Sequence, residues 1–263
     1  MDFGSIVSNS LKYPFRNIKK LPILFVLFIL VAIIPIGMVY DNRYVVAIGA
    51  ISFFLFVLLV PGYLFSMVQI GLNESSMFPS LSFGKTIYDT LRVLVLRIVY
   101  MIVPAAVFFI VMSTFGVSTM DLLSDLKLIS FLITLGLIFI VILVTYIVFE
   151  FLLFFAKARL AYLNSLSEAL KIHKVIIDIK NIGIGNIIKW ILFMAVLMVA
   201  VSFISSWVIA IPYVGFIVYL VVIIPLLESI GNYSLGLLYS NITDKEDDLD
   251  TIEREIEALK YLN

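Results

Sequence analysis

The sequence predicts an all-α integral membrane protein: a helical bundle of six transmembrane helices arranged as three hairpins, each preceded by an interfacial amphipathic helix. Two observations carry this reading. First, 63% of the residues are hydrophobic and 14% are charged. Soluble domains hold about 45–50% apolar and about 25% charged residues. The excess is gathered in blocks, several longer than the roughly 20 residues that cross the hydrocarbon. Second, segments too polar to span and too apolar to float separate these blocks. The clearest is 165–181, SLSEALKIHKVIIDIKN, where Ser167, Lys171, Lys174, Asp178 and Asn181 form one stripe of a helix. Such a segment suits the plane of the membrane interface.

The elements follow in order. Residues 1–20 open with Ser5, Ser8, Lys12 and Arg16 on one stripe, opposite Phe3, Ile6, Val7 and Leu11. Pro14 ends or kinks this helix, having no N–H to donate. The basic cluster Arg16, Lys19, Lys20 is placed to meet anionic headgroups. Residues 21–40 are the first span, Asp41-Asn42-Arg43 a tight turn, and 44–72 the second span. Pro61-Gly62 inside it predicts a kink or a locally unwound turn, tolerated where protein or water satisfies the freed carbonyl. After a loop, 83–92 is the second amphipathic candidate, with Lys85, Asp89 and Arg92 on one stripe. It leads into a third span, 91–114, containing Pro104.

A polar connection over 116–127 offers Ser118 or Thr119 as an N-cap. The fourth span is 128–155. Ser165 and Glu168 then have capping-box spacing at the head of the 165–181 helix, whose Lys171 and Lys174 face headgroups. The fifth span covers 184–211, with Trp190 and Trp207 as interface anchors. A turn at 212–215 precedes the sixth span, 216–238.

This makes one membrane domain, 1–240, of three pseudo-repeats at about 1–78, 79–164 and 165–240. Their openings share Ser8-Asn9-Ser10, Ser80-Leu81-Ser82 and Ser165-Leu166-Ser167, each followed closely by a lysine. Residues 241–263 are an acidic tail. Its Leu249, Ile252, Ile256 and Leu259 are spaced for a short coiled coil or for docking on a partner helix. With the N-terminus inside, 16 of the 18 Lys and Arg residues fall on the inner side, and only Arg43 and Lys127 on the outer. Basic loops resist translocation, so the sequence predicts a multi-pass protein of the cell membrane with both termini cytoplasmic. The first apolar run carries no small-residue cleavage site, so no cleaved leader is expected.

Chemistry is sparse. The chain has no cysteine, which excludes disulfides, thiolate catalysis and iron–sulfur ligation. It has no phosphate loop, dinucleotide fingerprint, nucleophile elbow or HExxH motif. His173 stands five residues from both Glu168 and Asp178, a spacing that does not gather one helix face. No catalytic residue, cofactor or metal site is therefore expected, and no nucleic-acid partner. Glu150 and Glu228 are the carboxylates inside the expected spans, near their inner ends. Either they form a relay or a headgroup seat, or they snorkel and pair with Lys157 or Arg159. No two glycines stand four apart, so helix association falls to Ser202, Ser205, Ser206, Gly231 and Asn232.

Three short stretches carry a family resemblance. Met1-Asp2-Phe3-Gly4 with Ser10-Leu11-Lys12-Tyr13-Pro14 looks like the start of an archaeal membrane family known only as a domain of unknown function, DUF4013. Pro61-Gly62-Tyr63-Leu64 and Phe83-Gly84-Lys85 resemble it too. The resemblance implies a methanogen-like archaeal source and six spans over most of 1–240, and it implies no activity. Two functions are left. The first is a non-enzymatic scaffold that binds membrane lipids and self-associates or holds a membrane-protein partner, with lipid binding or curvature sensing by its surface helices. The alternative is a transporter, flippase or scramblase for a lipid or small hydrophobic solute.

Overall fold

The computed structural model describes residues 2–16, 18–116, 128–212 and 214–260; for 114–116, 128–135 and 243–260 the description is of the backbone. The helices are α1 (Phe3–Arg16), α2 (Leu21–Val39), α3 (Arg43–Leu72), α4 (Phe83–Gly116), α5 (Leu128–Leu163), α6 (Leu166–Ala169), α7 (Ile172–Ile182), α8 (Ile184–Ile209), α9 (Gly215–Val218) and α10 (Ile224–Lys260). A π-helical turn, Tyr219–Ile223, joins α9 to α10. No strand occurs among the described residues. Six helical stretches are long and apolar enough to cross a membrane: Leu21–Val39, Arg43–Leu72, Phe83–Ser113, Gly136–Leu163, Ile184–Ile209 and Gly215–Ile242. The chain is an all-α, multi-pass membrane protein.

Local chemistry sets most boundaries. Asp41 takes a left-handed φ of 49° in the α2–α3 turn. Asn42 then caps α3, its Oδ1 accepting from Tyr44 N at 3.1 Å and Val45 N at 3.2 Å. α3 stays helical through Pro61-Gly62, so the expected unwound turn does not form. α4 is one rod from Phe83, the 83–92 stretch running straight into the third span, because no glycine or proline stands between Gly84 and Pro104 to break it. α5 runs on to Leu163, past the expected end at 155.

The expected helix over 165–181 is divided into α6 and α7. The capping box is not made. Ser165 gives no side-chain cap bond, and Glu168 is taken instead by Arg159 at 3.6 Å and by Lys171. Gly183, at φ +92°, turns α7 into α8. The π-turn ends two residues before Pro225. That proline lacks the N–H owed to Val221, and a wider turn takes up the mismatch.

α3 is the centre of the bundle, with α2, α4 and α10 packed on it. Its close approaches use glycine. A Cβ on Gly62 would lie 2.0 Å from the Thr86 carbonyl oxygen of α4, and the Gly62 N–H donates to Thr90 Oγ1 at 2.8 Å. Gly71 of α3 and Gly236 of α10 face each other: a Cβ on either would meet the opposite backbone at 2.4 and 2.3 Å. Small residues thus bring the helices together, one glycine from each helix. Of the serines assigned to this task, Ser202 and Ser206 are exposed and only Ser205 is buried. Ser205 and Ser206 bond back to carbonyls of their own helix. α8 is peripheral, touching α10 only lightly, because α10 packs mainly on α3. Trp190 is not an interface anchor. It is 6% exposed and donates its Nε1–H to Ser234 Oγ at 3.0 Å, tying α8 to α10. Trp207 is 70% exposed.

The buried core gathers at one end of the bundle, where α1, the 73–82 loop, α6 and α7 lie across the helix ends. Tyr13 stacks between Phe78 at 4.7 Å and Tyr233 at 3.9 Å. Burial pushes the Tyr13 hydroxyl pKa well up, so it stays neutral. Polar residues expected to face headgroups turn inward here. Asp89, Arg92 and Asp178 are 2%, 7% and 7% exposed. Arg92 Nη1 donates to Asn164 Oδ1 at 2.7 Å and to Asp89 Oδ1 at 3.4 Å, while Asp89 Oδ2 is buried without a partner. Arg159 and the Tyr239 hydroxyl both bond Asp178, and Arg159 Nε donates to the Glu168 carbonyl at 3.1 Å. The inward turn satisfies these groups with one another instead of with lipid headgroups.

A candidate intramembrane binding site

A cavity of about 470 Å³ lies between α2, α3, α4, α5 and α10. Its wall is mostly apolar, with Phe28, Phe56, Leu64 and Phe154 as its broad surfaces and Pro61 on its rim. Helical spacing supplies the polar groups. On α5, Glu150 and Lys157 stand two turns apart on one face, with Tyr146 one turn before Glu150. On α10, Glu228 and Asn232 are one turn apart. Arg97 enters from α4.

These groups form two sets. Glu150 Oε1 accepts from Arg97 Nη2 at 2.9 Å and from Tyr146 OH at 2.8 Å. Asn232 Nδ2 donates to Glu228 Oε2 at 3.1 Å and to the Glu228 carbonyl at 2.8 Å, and its Oδ1 accepts from Lys157 Nζ. Charge in a spanning segment is costly, so four ionisable groups on one cavity make a binding site the first reading.

The structure brings Glu150, Glu228 and Pro61 together at one cavity. α5 continues about 20 Å past Glu150 at 1.5 Å per residue. Glu150 pairs with Arg97, not with the expected Lys157 or Arg159. Gly62 points away from the cavity, into α4. Arg16, Lys19 and Lys174 are exposed at the tight end of the bundle. Lys171 pairs with Glu168, and Lys20 Nζ donates to the Phe78 carbonyl at 3.2 Å. Glu168 is held below the usual carboxylate range, first by the Lys171 hydrogen bond and then by the charges of Lys171, Arg159 and Lys174. His173 is exposed, and no group of three metal-ligating side chains occurs among the described residues. Leu249, Ile252, Ile256 and Leu259 lie on the α10 backbone beyond the described side chains; Ser118, Thr119 and Lys127 lie outside the described residues.

Sequence reasoning missed Arg97, Tyr146 and the bridging role of Asn232. The signal was present. Arg97 interrupts an apolar run as plainly as Glu150 does, and Asn232 stands one turn from Glu228.

Six helices of spanning length and composition define a multi-pass membrane protein, and five of its helices border the mixed-charge cavity. Residues 45–211 match DUF4013, described as a protein of unknown function, and the chain belongs to that family. The match runs from α3 through α8 and leaves both ends of the chain outside it. Nothing matches among the curated proteins or the solved structures.

Proposed function

We propose that this protein takes a lipid or small amphiphile into the intramembrane cavity and moves it through the bilayer without covalent chemistry. One observation carries the reading: Glu150, Glu228, Arg97, Lys157 and Asn232 converge on a single cavity whose remaining wall is apolar. A polar head and an alkyl chain both find matching surface there. Pro61 and the π-turn before Pro225 lie beside it, in the two helices that pack at the bundle centre. α3 is continuous through Pro61, but the π-turn interrupts the last span, and interrupted helices often border substrate paths. The test is translocation of a fluorescent short-chain lipid in liposomes. Glu150→Gln with Glu228→Gln is expected to slow flux about tenfold or more, the equivalent of one lost charged contact. Unchanged flux would overturn the proposal.

A scaffold role has one observation in its favour. α10 continues as helix about 27 Å beyond Ile242, the end of the last span, to Lys260. That extension is a surface for a second copy or a membrane-protein partner. Removing residues 243–263 should then dissolve the assembly and leave lipid flux intact. We place the protein in the cell membrane with both termini in the cytoplasm. The support is that only Arg43 and Lys127 of the 18 Lys and Arg residues fall in the expected outer connections. Arg16, Lys19 and Lys174, exposed at the tight end of the bundle, suit contact with anionic headgroups.

A further inference from the structure

We propose that the cavity selects a zwitterionic lipid headgroup, its anionic part on Lys157 and its cationic part on Glu228; this rests on reading the cavity as an amphiphile site. The four charges in the cavity are not equivalent. Arg97 and Glu150 form a closed ion pair at 2.9 Å, and Tyr146 completes it. Lys157 and Glu228 are in no ion pair among the described residues. They are held apart by one carboxamide, with Asn232 Oδ1 accepting from Lys157 and Asn232 Nδ2 donating to Glu228 Oε2 at 3.1 Å.

An ammonium has three donors, and Lys157 uses one. The Glu228 side chain uses one of its two oxygens. The site therefore presents a positive and a negative group side by side, at fixed separation, with bonding capacity left on each. Contact between the two would have closed the site, and Asn232 prevents it. A singly charged ligand satisfies one group and sets its own charge beside the like charge of the other. A headgroup carrying both signs, laid antiparallel to this pair, closes both at once. The chain of such a lipid then runs along Phe28, Phe56 and Leu64, a surface too apolar for a free headgroup.

The test uses the purified full-length chain and equilibrium binding. The probes are phosphatidylethanolamine, phosphatidylglycerol and diacylglycerol with identical short acyl chains, together with free glycerophosphoethanolamine. The zwitterionic lipid is expected to bind about tenfold tighter than each of the others, a margin of one charged contact. Lys157→Met should shift preference toward an alkyl trimethylammonium probe, and Glu228→Gln toward phosphatidylglycerol. Asn232→Asp, which closes on Lys157, should erase the zwitterion preference, and it serves as well if either first variant fails to fold. Variants that weaken all probes equally would assign these residues a structural role and overturn the proposal. Equal wild-type affinity for the zwitterionic and anionic lipids would overturn the headgroup rule while leaving the cavity an amphiphile site. Free headgroup binding as tightly as the lipid would overturn the lipid as its source. No saturable binding of any lipid, or saturable binding unaffected by the cavity-filling Val93→Trp, would overturn the cavity reading itself.

Discussion

Gly62 shows what single atoms control in this bundle. A methyl group there would lie 2.0 Å from the Thr86 carbonyl oxygen, a contact no side-chain rotation relieves because both partners are backbone. Gly62→Ala should therefore destabilise the protein by about 1–3 kcal/mol or separate α3 from α4; thermal unfolding in detergent measures it. The Arg159–Asp178 pair makes a second prediction. Asp178→Asn leaves the buried guanidinium with only the longer Glu168 contact, 3.6 Å, as counter-charge and should cost about 3 kcal/mol. The double change Arg159→Met with Asp178→Leu should recover most of that loss, as apolar replacements of whole buried pairs do. At this scale the sequence was legible in part. Glu150 and Glu228 stand out in apolar runs and do meet in one cavity. The stripes holding Asp89, Arg92 and Asp178 were also visible, but their direction was not. Helical spacing says which residues share a face. It does not say whether that face meets solvent or a complementary partner from a distant helix, such as Asn164 for Arg92 or Tyr239 for Asp178.

Among the elements, the α6–α7 joint is the place where pH should act. Glu168 binds Arg159 and Lys171 there, and its pKa is depressed in the folded state. A depressed carboxylate contributes stability that is complete above its unfolded pKa, about 4.3, and is lost as pH falls through the folded value. Amide exchange in α6 and the first turn of α7 should therefore accelerate as pH drops below about 4, and Glu168→Gln should show the faster rate at neutral pH. A rate independent of both would mean that the joint is held by its carbonyl contacts, Tyr100 to Ala169 at 3.0 Å and Arg159 to Glu168 at 3.1 Å. Element types were legible because apolar blocks of spanning length have few alternatives. Boundaries were less so. Pro61 read as a break and is absorbed in α3, since Gly62 lets Thr90 take the neighbouring N–H. Pro225 passed without notice and carries the π-turn. The difference lies in what packs beside each proline, which spacing along one helix does not encode.

The molecule as a whole is tight at the end bearing α1, α6 and α7 and exposes apolar side chains toward the other end, including Phe109, Val196, Val199 and Phe203. Burial of apolar surface gives little drive inside lipid, so the helices are held by close glycine crossings and hydrogen bonds such as Trp190 to Ser234. Orientation is testable because the chain has no native cysteine. Single cysteines at Tyr40 and Lys174 should label from opposite faces of sealed vesicles, with Lys174→Cys protected from outside; labelling of both from one side would break the topology. The six-span architecture was legible from composition and block length. The central position of α10 against α3, and with it the cavity, was not, because it depends on contacts between residues more than 150 apart, such as Gly71 and Gly236.

The most direct test of the account is native mass spectrometry of the full-length protein released gently from its own membrane. The account predicts one amphiphile per chain, retained when residues 243–263 are removed and lost on Val93→Trp. A chain free of bound amphiphile, assembled only through its α10 extension, would contradict it.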